Sequence, residues 1–244
     1  MRQRPVSDVP TLVRVALVFL LVSQAVFAAM QARPTATAQA LQQAPPLSVL
    51  RASSLGDPIP FAQAVTLYLQ AFDNQPGISI PFLDLDYGKV QSWLTRILEL
   101  DPAGQYPLLM AAQVYGQVSD EAKQRQMVEF VESQFYADPD KRWPWLAHAA
   151  IMARHRLHDL PLALRYAKAL HDRAIGPKVP SWARQMEIFL LEDLGEYESA
   201  KVMLGGLLHS GAVTDPHEIH FLIQRLEQIE AAEKSSSASK RRLP

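Results

Sequence analysis

The chain has 244 residues with 24 basic and 25 acidic side chains, so it lacks the cationic excess of a non-specific polyanion binder and no nucleic-acid partner is expected. Cysteine is absent, which excludes disulfides, thiolate metal sites, cysteine nucleophiles and a lipid-modified cysteine anchor. Apolar residues reach 48% with only 10 glycines, and the abundance of Ala and Leu favours helix over an all-β arrangement.

The first element is an apolar run. Arg2, Arg4 and Arg14 precede residues 15–30, in which Ser23 and Gln24 are the polar members. Its length falls between the roughly 7–15 residues of a secretory core and the roughly 20 of a membrane span. Residues 1–30 therefore read as a signal peptide, with Val26 and Ala28 at the −3 and −1 places of a cleavage site, or as an uncleaved transmembrane anchor. Basic residues before the run hold that end in the cytoplasm and send the rest across. Residues 31–56, with Pro34, Pro45 and Pro46 and no helix or strand period, read as a flexible linker.

Residues 57–230 are punctuated at near-equal steps. Asp57-Pro58, Asp101-Pro102, Asp138-Pro139, Gly176-Pro177 and Asp215-Pro216 place prolines 44, 37, 38 and 39 residues apart. A period in this range marks an array of small units rather than one enzyme core. Apolar residues between the prolines recur at helical spacing. Asp57 caps a helix carrying Phe61, Val65 and Leu69, and a second runs from Asp86 through Val90, Trp93, Leu94, Ile97 and Leu98. Leu108, Leu109, Ala112 and Tyr115 mark the third. Ser119 is the expected cap of the fourth, which buries Met127, Phe130, Val131 and Phe135 and is closed by Asp138-Pro139. Trp145, Leu146, Ala149, Ala150 and Ala153 lie on the fifth, and Ala163, Ala167 and Leu170 on the sixth, capped by Asp159. Trp182, Met186, Phe189 and Leu190 give the seventh. Gly195 makes a corner before the eighth, with Ala200, Leu204 and Leu207. Gly205-Gly206 within it suggests close packing. Asp215, Pro216 and Glu218 open a closing helix with Phe221, Leu222, Leu226 and Ile229. Eight helices in four antiparallel pairs plus a closing helix are expected. Residues 231–244, serine-rich and ending in Lys240, Arg241 and Arg242, read as a disordered basic tail.

Leu194-Gly195-Glu196-Tyr197-Glu198-Ser199-Ala200 resembles the inter-helix turn of the tetratricopeptide repeat family. Leu98-Glu99-Leu100-Asp101-Pro102 resembles that family's repeat ending, and Leu108, Ala111, Ala112 and Tyr115 keep its first-helix spacing. The later spacings, 37–39 residues, exceed the family's usual period of about 34. The resemblance implies an all-α, right-handed solenoid of antiparallel helix pairs that binds a protein or peptide on the concave face made by the first helices. A membrane-tethered exported member would resemble bacterial envelope assembly factors, in the inner membrane with the repeats in the periplasm, or in the periplasm after signal cleavage.

Candidate chemistry is sparse. His155 and His158 stand three apart, as do His217 and His220, a spacing that can set two ligands on one helical face, but neither pair sits in a His-Glu-x-x-His pattern. No phosphate loop or Gly-x-Ser-x-Gly motif occurs. No catalytic residue, cofactor or metal site is expected. The alternatives are a histidine-based metal-dependent hydrolase and a self-assembling structural module. The expected partner-contacting set is Arg142, Trp143 and Trp145, with Arg154, Trp182, Arg184 and Gln185, because Trp and Arg dominate binding hot spots.

Overall fold

The structure, a computed structural model, describes residues 9–30, 37–211 and 213–240. Arg2 and Arg4, residues 31–36 of the expected linker, and Arg241 and Arg242 of the expected tail lie outside the described residues. The chain divides into two compact units, residues 1–38 with 76–78, and residues 39–75 with 79–244.

The first unit contains α1 (Thr11–Met30), a helix of 20 residues with none buried. It is about 30 Å long at the ordinary helical rise, long and apolar enough to span a membrane or to act as a signal sequence.

The second unit is helical throughout its core. It comprises α2 (Leu47–Ser53), α3 (Pro58–Gln70), α4 (Tyr87–Leu100), α5 (Tyr106–Leu109), α6 (Glu121–Phe135), α7 (Pro139–His155), α8 (Leu160–Arg173), α9 (Ser181–Asp193), α10 (Tyr197–His209) and α11 (Pro216–Lys240). Two-residue strands, Asn74–Gln75 and Ile78–Ser79, are the only strands among the described residues.

Aspartates open five of these ten helices by accepting from the exposed backbone amides of the first turn. Asp57 accepts from Ile59 N, Asp86 from Gly88 and Lys89 N, Asp120 from Lys123 N, Asp159 from Leu162 N and Asp215 from His217 N. The α6 cap is thus Asp120, not the expected Ser119. The Asp-Pro pairs also divide by role. Pro58, Pro139 and Pro216 each occupy the first position of a helix, where a missing N–H costs nothing. Asp138-Pro139 therefore opens α7 and does not close α6, which ends at Phe135. Asp101 is the C-cap of α4.

From α6 onward each helix packs on the next, α6 on α7, α7 on α8, α8 on α9, α9 on α10 and α10 on α11. Side chains also link alternate helices. Gln70 of α3 donates to the Tyr106 hydroxyl of α5. Trp145 of α7 donates to Gln105, at the start of α5, at 2.7 Å. Arg154 of α7 pairs with Asp193 of α9 at 2.7 Å, and Gln185 of α9 donates to Glu218 of α11 at 2.7 Å. On the other layer, Gln126 of α6 donates to Gln91 of α4 at 3.1 Å, and Arg165 of α8 clasps Glu132 of α6 at 2.6 and 3.0 Å. The hydrogen-bonded links among these join residues 33–40 apart in sequence, the same interval as the later prolines.

Four further expectations are corrected. The second part of the expected linker is packed: Leu41, Ala44 and Leu50 are buried, Trp93 Nε1 donates to Gln42 O at 2.8 Å, and Arg96 Nε donates to Pro45 O at 3.2 Å. Residues 37–46 have no regular structure and take their partners from α4, and residues 47–53 form the short helix α2. The start of the expected tail is helical, α11 running to Lys240, and Lys201 of α10 pairs with Glu233 at 2.5 Å. The third helix is irregular. After one α turn, Met110–Val114 is π-helical and Tyr115–Gln117 is a 3-10 turn. A Cβ on Gly116 would stand 2.9 Å from Ala111 O, so the backbone of the irregular helix itself leaves no room for a side chain there, and the Met152 methyl of α7 lies 3.1 Å away on the same side. Finally, Gly205-Gly206 does not serve close packing, since a Cβ at either position meets no atom within 4 Å.

Candidate functional site

Side-chain links join the odd-numbered helices from α3 to α11, and two openings beside these helices stand out among the described residues. The larger is a groove of about 410 Å³ between α3, the end of α4 and the start of α5. Its floor is Ala62, Thr66 and Ile97. Gln63, Leu67 and Gln70 rim it from α3, and Asp101, Gln105 and Tyr106 from the other side. Leu67 is 65% exposed and Tyr106 44% exposed, although both are large and apolar over most of their surface. The volume lies within the range of ligand pockets, about 300–1,000 Å³.

The smaller opening is a cavity of about 160 Å³ bounded by α8, α9, α10 and Val213. His171, Ser181, Arg184, Gln185, Met203 and Leu207 line it. Glu187 is buried beside it, and desolvation raises its carboxyl pKa despite the imidazole of His171 at 4.0 Å. The His171 ring also contacts the Arg184 carbonyl at 3.2 Å.

The expected contact residues separate into groups. Arg184 and Gln185 meet in the small cavity, with Gln185 buried. Trp143 of α7 and Trp182 of α9 meet edge to face with ring centroids 5.4 Å apart. Trp182 is 49% exposed, whereas Trp143 and Trp145 are half-buried and pack against the core. Arg154 is committed to Asp193. Arg142 is not a surface residue: it is 3% exposed and donates to Gln134 O at 2.6 Å and Pro102 O at 2.9 Å, tying the end of α6 to the end of α4. Burial lowers its guanidinium pKa. Its sequence neighbours gave no sign of this, because the two carbonyls it satisfies lie 8 and 40 residues away.

The histidines have other roles. His158 has φ +49°, the left-handed conformation that Gly195 adopts at φ +77° in the corresponding corner before α10. It therefore fills the glycine position that the α7–α8 corner lacks. His220 faces Gln224 at 3.0 Å. No three His, Cys, Asp or Glu side chains converge as a metal site among the described residues.

Three tyrosines anchor the core. Burial pushes the Tyr87 phenol up to about 12, and the Tyr115 and Tyr166 phenols higher. Tyr87 donates to Tyr115 O at 2.8 Å, fixing the irregular helix against α4. The groove residues Gln63, Leu67 and Gln70 went unnoticed in the sequence because a glutamine on a helix surface carries no chemical signature. Only the absence of a neighbour over them marks the site. No family model matches the chain, and no curated protein or solved structure matches it either.

Proposed function

We propose that this protein is a non-enzymatic interaction scaffold, a right-handed solenoid of tetratricopeptide-like helix pairs that holds a protein or peptide on its first-helix layer. The observation that carries the reading is the set of side-chain links between every second helix at 33–40 residues' separation. Neighbour-only stacking of similar units is how repeat arrays build an extended binding surface. The groove on that layer, with its exposed Leu67 and Tyr106, supports a docking role, and α1 supports attachment to or export across a membrane. In this reading the repeats face the periplasm of a bacterial envelope, the chain uses no cofactor, and the bound partner is another envelope component.

The test is co-purification from gently solubilised membranes. Wild-type protein is expected to retain one partner in fixed stoichiometry, and Leu67→Asp with Trp182→Ala to lose it while remaining folded. Recovery of the bare protein at all detergent strengths overturns the scaffold reading. A reporter enzyme active only outside the cytoplasm, fused after the last residue, is expected to be active; inactivity of the intact fusion overturns the export.

A further inference from the structure

The groove between α3 and α5 has an electrostatic asymmetry. Of the residues lining it, Asp101 alone is charged. Its carboxylate is half-buried, and among the described residues it meets no cation and accepts no hydrogen bond; its cap contacts use the backbone N and O only. A carboxylate that no group of the fold engages is left to attract a cation brought alongside it. Every other polar group in the groove is neutral. Gln105 and Tyr106 are held in place by Trp145 and Gln70, so they are preorganised. Gln63 is exposed on the rim, makes no side-chain hydrogen bond among the described residues, and offers both a donor and an acceptor amide to a peptide backbone. Leu67 and Tyr106 present an apolar rim beside the carboxylate.

We propose that this groove binds an extended peptide segment carrying a Lys or Arg next to an apolar residue, with the cationic head on Asp101 and the apolar side chain against Leu67 and Tyr106. The inference rests on the scaffold reading and names the chemistry that the partner presents. A segment ending in a free carboxylate, or an acidic one, is disfavoured, because no Lys or Arg lines the groove to meet it.

The test is a displayed library of random eight-residue peptides selected on the purified full-length protein in detergent. Selection needs no native partner, so its outcome is separate from that of the co-purification. The wild type is expected to enrich sequences with Lys or Arg beside an apolar residue. A matched synthetic peptide with Lys replaced by Glu should bind at least about fivefold more weakly. Asp101→Asn, whose side chain bonds nothing in the fold, should keep the wild-type melting temperature and abolish the Lys-over-Glu preference. Asp101→Lys should invert it. Enrichment of no sequence, or of sequences without a cation, overturns the proposal. So does a cationic preference that survives Asp101→Asn.

Discussion

The α7–α8 pair and the α10–α11 pair follow the same plan and differ in what fills the space between helices. In the first, α7 buries Leu146, Ala147, Ala149, Ala150, Met152 and Ala153, and α8 buries Ala163, Tyr166, Ala167 and Leu170. Alanines there let helices approach closely, and the larger side chains interlock around them. In the second, α10 buries only Ala200 and Leu204, and with Leu222 and Ile229 of α11 these belong to a small cluster separate from the main core. Here the small residues Gly205 and Gly206 face open space. Small residues in sequence thus mean close approach in one place and a weak helix in the other.

The largest expected effect is in the well-packed region. Arg142→Met leaves two carbonyls and a helix junction unsatisfied, and should cost about 3 kcal/mol, read as a cooperative shift in denaturant midpoint with little change in slope. Leu204→Ala should cost about 2–3 kcal/mol, but locally. Hydrogen exchange is expected to quicken in α10 and α11 while α7 and α8 keep their protection. A uniform loss in both pairs would mean that the two clusters fold as one. Gly205→Ala with Gly206→Ala should stabilise by about 1–2 kcal/mol, since helix propensity improves and no contact is lost. His158→Gly should stabilise by up to about 1 kcal/mol by relieving the left-handed strain, and Gly195→Ala should destabilise by about the same amount.

The smallest effect concerns pH. The Glu187 carboxyl is raised above its unfolded value near 4.5, chiefly by burial. Stability tied to its neutral form is therefore complete below about pH 4.5 and is lost as pH rises through the folded value. Glu187→Gln should raise the melting temperature at pH 7 and leave it nearly unchanged at pH 4. An equal rise at both would show that packing, not titration, is responsible. His148 has the opposite sense: burial lowers its pKa, so its contribution is present above about pH 6.5 and fades as pH falls through the folded value.

The helices and their caps were legible because they depend on local chemistry. Asp86, Asp159 and Asp215 open helices where an aspartate precedes an apolar stripe, and Val90, Trp93, Leu94, Ile97 and Leu98 are all buried as their spacing implies. The expected α9 stripe holds at Leu190, which is buried, and in part at Met186 and Phe189, which are half-buried. Trp182 is exposed, whereas Gln185, Glu187 and Ile188 are buried. Periodicity ranks side chains by apolarity, and α9 turns two polar residues toward its neighbours, where Glu218 and His171 receive them. The packed segment at residues 41–50 escaped notice for a related reason. Its partners are the side chains of Trp93 and Arg96, some 50 residues on.

By itself, then, the sequence determined the all-α class, the apolar run at residues 15–30 and the alternation of helices between Asp and Pro punctuation. Each of these follows from propensities and capping within a few residues. The tertiary structure decided which small residues are pressed by a neighbour, that Arg142 is a buried strut, and that His158 stands in for a glycine. It also decided that Gln63, Leu67, Asp101 and Tyr106 share one groove. That last assembly joins α3 to the α4–α5 loop across more than thirty residues, and only the packing of α3 on α4 and of α4 on α5 brings them together.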